Sequence, residues 1–270
     1  MCGILGICLS DGHSMKDKKV EIKALLKQLF VETQIRGRIS TGIAAITNKR
    51  VIFMKGKLKA TSFVQSEEFD NFMDNVLLLD SYKDEYLYSI IGHCRYDTKG
   101  SPDDNKNNHP IVTDNMIGIH NGMISNDEEI FDKFNAEGIK RKGLVDSESI
   151  FQLIDLFYKK EIGKGYSTLS AIKKACAYFK GSMTCALLNR NEPQRLYLFR
   201  NRMDALSVVF YGDYGMTVFC SNKSFIDTAF EESFDKSTSK VSTTILNTTP
   251  DSVLTIDLRH KLCRNEATNK

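Results

Sequence analysis

The chain opens MCGILGIC, with Cys2 directly behind the initiator Met and ahead of a short apolar run. A small residue at position two permits removal of Met1, and one residue then carries both a thiol and a free α-amine. Reference pKa values are about 8.5 for a thiol and about 7.7–8.0 for an α-amine. The amine can therefore act as base for its own nucleophile near neutral pH. Three later stretches carry groups of use to such a nucleophile. In IGHCRYDTKG, Arg95 ends an apolar run, where a guanidinium can clamp a carboxylate through two parallel hydrogen bonds. In IGIHNGMISN, the Asn121 amide and the Gly122 N–H can converge on an oxyanion, glycine letting the backbone come close. In VDSES, Asp146 can receive an ammonium group.

Each group also has an ordinary structural use. A Cys at position two can be merely a small residue. Arg95 can sit in a surface ion pair, Asn-Gly between apolar runs signals a hairpin, and Asp146 can cap the helix that follows it. Taken singly, the residues leave both readings open. His93, His109 and His120 are irregularly spaced and no Cys pair accompanies them, so no metal site is read from them.

These groups need a frame. Residues 4–9 read as a strand and 17–33 as an amphipathic helix. Residues 42–47 and 51–55 form a hairpin around Asn48, 66–81 a helix, and 86–93 an apolar strand. TKGSPDDNKNNHP, polar and rich in turn formers, is expected to be a surface loop. Apolar runs at 116–120 and 123–125 flank the Asn-Gly pair. DSESIFQLIDLFYKK opens at Asp146 with an acidic first turn and repeats apolar residues at Ile150, Phe151, Ile154 and Phe157, so it predicts a helix. A further helix spans 167–180. Strands follow at 183–189, 195–200, 207–211, 216–221 and 252–258, with a Ser/Thr-rich loop near 234–249. Runs of strands broken by pairs of helices predict an α+β layered fold. No repeat or composition break divides residues 1–270, which read as a single domain.

Composition narrows the class. The chain has 270 residues, 41% of them hydrophobic, enough for a large core. A net charge of +3 is spread along the chain, so no nucleic-acid contact is inferred. The densest basic patch, Lys16, Lys18, Lys19, Lys23 and Lys27, has helical spacing and reads as a solvated helix face. No stretch has the length of a membrane span, and the first apolar run is too short and lacks a basic leader for a signal peptide. Seven scattered cysteines without a CxxC pair suit a reduced, cytoplasmic protein.

In their order, the stretches CGILGI, IRGRISTGIA, GHCRYDTKGSP with NNHP, IHNGMISN and DSES resemble the class II glutamine amidotransferases. The glutaminase domain of that family belongs to the N-terminal nucleophile hydrolases. GSMTCALLNRNEPQRLYLFRNRMDALSVVFYGDYGMTVFCSNKS is similar to the family's closing strands, so the resemblance runs over about residues 2–230 and the strand at 252–258. It looks most like the glutaminase half of the glucosamine-6-phosphate synthases. The resemblance implies a four-layer αββα sandwich of two mainly antiparallel sheets. It implies Cys2 as the nucleophile once Met1 is removed, with its α-amine as general base, and Asn121 and Gly122 as the oxyanion hole. Arg95 would hold the α-carboxylate of glutamine and Asp146 its α-ammonium. Tyr96 and Thr98 fall in a loop, 95–102, that closes over the substrate. Arg36, with Gly37, lies in the motif that supports the nucleophile strand and is grouped with the substrate-binding residues.

The implied reaction converts L-glutamine to glutamate and ammonia without metal or cofactor. The sequence has Ile39 where the family often has Asp. It has Tyr96 and Asp97 where the glucosamine-6-phosphate synthases have Trp and Ala. No GxxxxGK[ST] loop and no acceptor domain accompany these motifs, so ammonia is expected to pass to a synthetase or transferase on a separate chain. Two other readings stand beside this one. A hydrolase of another amide would need Cys2 but not the Arg95 and Asp146 pair. A non-catalytic domain that binds glutamine or a partner as a sensor would account for Ile39 and Asp97.

Overall fold

Alternation of side chains decides which way each strand faces. Along β1 (Gly3–Leu9), Leu5, Ile7 and Leu9 turn to one side and Ile4 and Cys8 to the other. The computed structural model describes residues 1–10, 18–77, 85–96, 99–161, 167–202, 206–234 and 241–268. After β1 come α1 (Lys19–Thr33), the hairpin β2 (Ser40–Thr47) and β3 (Val51–Gly56), the short α2 (Ala60–Phe63), α3 (Glu67–Leu77) and β4 (Leu87–Arg95). The middle of the chain forms β5 (Ile111–Val112), β6 (Met116–Ile124), α4 (Asp127–Phe134), α5 (Ser147–Glu161) and α6 (Thr168–Cys176). Then follow β7 (Gly181–Asn189), β8 (Arg195–Arg200), β9 (Ser207–Tyr211), β10 (Met216–Cys220), α7 (Lys223–Ser233), β11 (Thr243–Ile245), β12 (Ser252–Asp257) and β13 (Leu262–Ala267).

Among the described residues the strands make two antiparallel sheets. One runs β11-β9-β10-β1-β4-β2-β3 and the other β13-β12-β8-β7-β6-β5. Three apolar clusters stack them into layers. Leu25, Leu29 and Phe30 of α1, with Phe69 of α3 and Ile226 of α7, cover Leu5, Ile7 and Ile90 on the outer face of the first sheet. Ile4 and Ile91 meet Ile117, Ile119, Ala186 and Leu198 between the sheets. Phe131, Phe151, Ile154 and Ile172 cover Cys185, Leu187 and Phe199 on the outer face of the second sheet. The result is an α+β sandwich with the layer order αββα. No helix of the described residues is long and apolar enough to cross a membrane.

The start of the chain is pinned, where chain ends ordinarily fray. β1 lies between β10 and β4, with Gly3 opposite Cys94 and Leu5 opposite Cys220. The Ile4 N–H donates to the Ser221 hydroxyl at 3.0 Å, and the Ser221 N–H returns a bond to the Ile4 carbonyl at 2.9 Å.

Most expected elements form within a few residues of their predicted bounds. Three differences bear on the site. Asn121 and Gly122 lie inside the continuous strand β6, not in a turn between two strands. Residues 103–106 of TKGSPDDNKNNHP are exposed as expected, but its last four are interior: Asn107, Asn108 and His109 are buried, because loop and neighbouring backbone groups meet the polar demands of the two asparagines. The basic face of α1 packs beside acidic α3, with Lys23 reaching Asp70 at 3.1 Å and Asp74 at 3.0 Å, and Lys27 reaching Asp70 at 2.8 Å. Pairs this exposed add little stability, about 0–1 kcal/mol each.

One close approach sets the spacing of β6 and α5. A Cβ on Gly118 would stand 1.9 Å from the ring of Phe151. Gly118→Ala is therefore expected to destabilise the fold by about 1–3 kcal/mol through overpacking, read as a lower urea midpoint. An unchanged midpoint would contradict this packing.

Candidate active site

The site begins where β1 leaves its ladder. Gly3 pairs with Cys94, so Cys2 falls beside Arg95 at the end of β4 and on the same side as Ile4, facing the second sheet. Two donors hold Cys2. Arg36 Nε donates to its carbonyl at 3.0 Å, and the Tyr96 N–H points at its sulfur at 3.3 Å. Two glycines let these segments close. A Cβ on Gly3 would meet the Thr33 side chain at 2.2 Å, and one on Gly37 would meet the Arg95 and Cys94 backbone at 2.4–2.6 Å. Burial pushes the Cys2 thiol above its ordinary pKa. The Tyr96 N–H, the terminal ammonium and Arg95 pull it down without cancelling that effect, and the Asp146 charge adds to it.

A bond between the sheets brings the second half of the site to this corner. His93, on the inner face of β4, has Nε2 at 3.0 Å from the His120 carbonyl on β6. A carbonyl only accepts, so Nε2 carries the proton. Burial pushes His93 down to about 3, so the ring is neutral at physiological pH. His109, its ring 4.0 Å from that of His93 between centroids and tilted by 31°, is also pushed well down by burial. His120 is held in turn by the Ser147 hydroxyl at 2.7 Å.

Next to His120 is Asn121, on the inner face with Ile117 and Ile119. Its side chain is 1% exposed, yet neither Nδ2 nor Oδ1 has a hydrogen-bond partner among the described residues. Gly122 has φ +143°, and a Cβ there would stand 2.1 Å from the Ser182 carbonyl. Only glycine takes that backbone in that space.

Asp146 precedes α5 but does not cap it with its side chain. Its Oδ2 accepts the Ile124 N–H, at the end of β6, at 2.6 Å. The first amides of α5 instead use backbone carbonyls, Glu148 N–H to Val145 and Ser149 N–H to Asp146. Glu148 accepts the Lys142 and Gly143 N–H groups, each at 2.8 Å. Asp146, Ser147 and Glu148 thus tie one segment of the site to another, while the Ser149 hydroxyl closes the turn onto the Asp146 carbonyl.

Arg95 is buried, and its guanidinium organises the loop that follows it. Nη1 donates to Asn108 Oδ1 at 2.8 Å, and Nη2 to the Lys99 carbonyl at 3.0 Å and to the Gly100 carbonyl. Asn108 passes the tie to the Pro102 carbonyl, and Asn107 links Ser101 to the Leu144 N–H. Lys55 donates to the Asn108 and Pro110 carbonyls at 2.7 and 2.9 Å, and burial lowers its pKa to about 8. The Tyr96 side chain is exposed. Ile39 contributes a backbone bond, its N–H to the Arg95 carbonyl, with its side chain partly exposed. Thr98 and Asp97 lie outside the described residues.

The structure therefore gathers Cys2, Arg36, Arg95 and the Tyr96 backbone on one sheet, and Asn121, Gly122 and Asp146 at the end of β6. His93 joins the two. Sequence reading missed the work of Asn107, Asn108, Ser147 and Glu148, although NNHP and DSES were both singled out. Their roles depend on which distant backbone groups they meet.

Known structures share the fold. The structure aligns with a glutamine phosphoribosylpyrophosphate amidotransferase from B. subtilis at TM-score 0.66 and 18% identity, covering 99% of this chain and 49% of that one. It aligns with a glutamine aminotransferase class-II domain protein from Silicibacter pomeroyi at TM-score 0.52 and 14% identity, covering 99% and 100%. At such identities the likeness speaks for the fold alone. A family model described as a glutamine amidotransferase domain matches residues 93–228, just over half of the sequence. The chain belongs to the class II glutamine amidotransferase family. Curated relatives include the glutamine–fructose-6-phosphate aminotransferases (isomerizing) of Shouchella clausii and Aeropyrum pernix. The first is 28% identical over 209 residues, covering 76% of this chain and 30% of the relative. The second is 30% identical over 202 residues, covering 74% and 29%. The chain spans less than a third of the length of these relatives.

The buried thiol has a measurable consequence. With Met1 in place, alkylation of Cys2 by iodoacetamide is expected to rise through a midpoint above that of a free thiol. A raised pKa keeps the thiolate scarce at neutral pH and populates it only as pH climbs. Mass spectrometry of the N-terminal peptide reads the midpoint, and one below the free-thiol reference would contradict the burial argument.

Proposed function

We propose that residues 1–270 form one glutaminase domain, in which Cys2, freed by removal of Met1, hydrolyses L-glutamine to glutamate and ammonia. The observation that carries this reading is the buried Asn121 amide with no partner among the described residues, beside a Gly122 whose backbone only glycine adopts. Leaving such a group unpaired costs about 1–3 kcal/mol. A developing oxyanion supplies the acceptor that the Asn121 amide lacks.

The chemistry follows from the groups in place. The raised pKa of Cys2 means that the thiol needs a base, and its own α-amine takes the proton as sulfur attacks the amide carbon. Asn121 Nδ2 and the Gly122 N–H donate to the oxyanion, and loss of one such donor typically raises the barrier by about 2.7–4 kcal/mol. The intermediate collapses, and ammonia leaves with the proton from the amine. Water, deprotonated by the same amine, then cleaves the thioester and releases glutamate. Arg36 acts on Cys2 through its carbonyl and holds the nucleophile in line. Arg95 receives the α-carboxylate by exchanging loop carbonyls for a charged acceptor, which couples substrate arrival to the loop. Asp146 receives the α-ammonium, and Tyr96 and Thr98 close over the substrate. A synthetase or transferase on a separate chain is the proposed acceptor of the ammonia. Seven free cysteines suit a reducing, cytoplasmic setting, in which Cys2 stays a thiol.

Purified protein with glutamine is expected to yield glutamate, and Cys2→Ala to abolish turnover with an unchanged melting temperature. No glutamate from protein whose intact mass shows Met1 removed would sink the reading and favour a glutamine-binding domain without catalysis. Affinity capture is expected to recover a synthetase or transferase.

One observation favours a second reading, a hydrolase of amides lacking an α-carboxylate: the Arg95 guanidinium already holds loop acceptors. Comparing glutamine with 4-aminobutanamide separates the two. The glutaminase reading expects kcat/KM to favour glutamine by at least about 10²-fold, because a missing charged group leaves a buried partner unpaired. Equal values would favour the second reading.

A further inference from the structure

The inner face of the second sheet changes character at Asn121. One row across it is wholly apolar: Ile119 on β6 faces Ala186 on β7, which faces Leu198 on β8, which faces Leu254 on β12. The next row toward the Cys2 corner is wholly polar: Asn121, Thr184, Arg200 and Ser252, in the same order. Thr184 is fully buried, and its hydroxyl has no hydrogen-bond partner among the described residues. It stands directly opposite Asn121, whose amide is equally unpartnered. Two unsatisfied buried polar groups on facing positions of one sheet surface are uncommon in a folded chain.

An oxyanion hole makes a demand that Asn121 alone cannot meet. Its carboxamide fits the same space in two orientations related by a flip, and only one aims Nδ2 at the reacting carbonyl. Something must hold Oδ1 on the far side. Directly opposing residues of an antiparallel pair have Cβ atoms about 4.5–5.5 Å apart, within reach of such a bond. The Thr184 hydroxyl is a donor able to rotate to suit. Arg200, next across the sheet, offers donors only. A hydrogen bond from that side uses the Thr184 oxygen as acceptor and leaves its proton for Asn121. The other buried hydroxyls without partners are elsewhere: Ser89 pairs opposite Cys8, at the far end of β1, and Thr255 alternates onto the outer face of β12.

We infer that Thr184 is a positioning residue for the glutaminase reaction: its hydroxyl donates to Asn121 Oδ1 when substrate is bound and fixes the amide with Nδ2 toward the oxyanion. This rests on the glutaminase reading of the site. It assigns to β7 a part in catalysis, exerted through Asn121.

The test is glutamine turnover by Thr184→Val, Thr184→Ser and Thr184→Ala, alone and in an Asn121→Ala background. Thr184→Val is expected to lower kcat about tenfold, the size of one lost neutral hydrogen bond, with KM changed less than about twofold. Its melting temperature is expected to hold or rise, because the hydroxyl it removes is unpaired in the free protein. Thr184→Ser keeps the donor and is expected to recover most of kcat, and Thr184→Ala is expected to behave as Thr184→Val does. Once Asn121 is alanine, Thr184→Val is expected to cost nothing more, since it acts through that amide. A wild-type kcat in both Thr184→Val and Thr184→Ala, or a full additional loss on top of Asn121→Ala, overturns the inference while leaving the glutaminase reading in place. A wild-type protein with no glutamine turnover overturns both.

Discussion

The first residues of this chain lie in the middle of a sheet, and the rest of the architecture answers to that placement. β1 is hydrogen-bonded on both sides, to β4 and β10, and its outer face is covered by α1 and α7. A terminus buried this way cannot fray, so Cys2 is held as firmly as a core residue while remaining next to the chain's end. The arrangement requires glycines at close approaches, Gly3 against Thr33 and Gly37 against the end of β4. It also buries the thiol, which raises its pKa and makes a nearby base chemically necessary.

The second sheet is joined to this corner by the apolar layer between the sheets and by an interior hydrogen bond, His93 to the His120 carbonyl. His93 and His109 do their work as neutral rings. Burial keeps His93 uncharged at neutral pH, and its Nε2 proton is held by the His120 carbonyl. Around the same corner, side-chain amides and carboxylates tie loops that have no ladder of their own. Arg95 and Asn108 gather residues 99–102, Asn107 reaches Leu144, and Glu148 gathers 142 and 143. These ties join the loop beside the thiol to the start of α5, where Asp146 braces the end of β6.

Much of this was legible in the linear chain. Alternation in CGILGIC and in the later strands marked most of the strands, and the 3.6-residue period marked α1 and α5. Short or exposed elements were missed, and so was α7, which follows β10 after only two residues. α4 has only eight residues, and β13, LCRNEA, is almost entirely exposed and shows no apolar face. Asn-Gly in β6 follows the ordinary rule for a turn, yet the strand runs straight through it, because pairing with β7 outweighs the local preference. The polar stretch ending NNHP read as surface because burial of an asparagine depends on partners far away in sequence.

The sequence by itself determined the residue types: a thiol at position two, an arginine closing an apolar strand, an Asn-Gly pair, and an acidic run opening a helix. Those are local properties, and their order along the chain was enough to suggest the family. Only the tertiary structure decided which groups have partners. Arg95 shares its donors with a loop, Asp146 serves β6 rather than its own helix, and Asn121 and Thr184 face each other with polar atoms that no described residue fills. Hydrogen-bond satisfaction is a property of neighbours in space, set by how two sheets pack and register, and no single segment of the chain contains it.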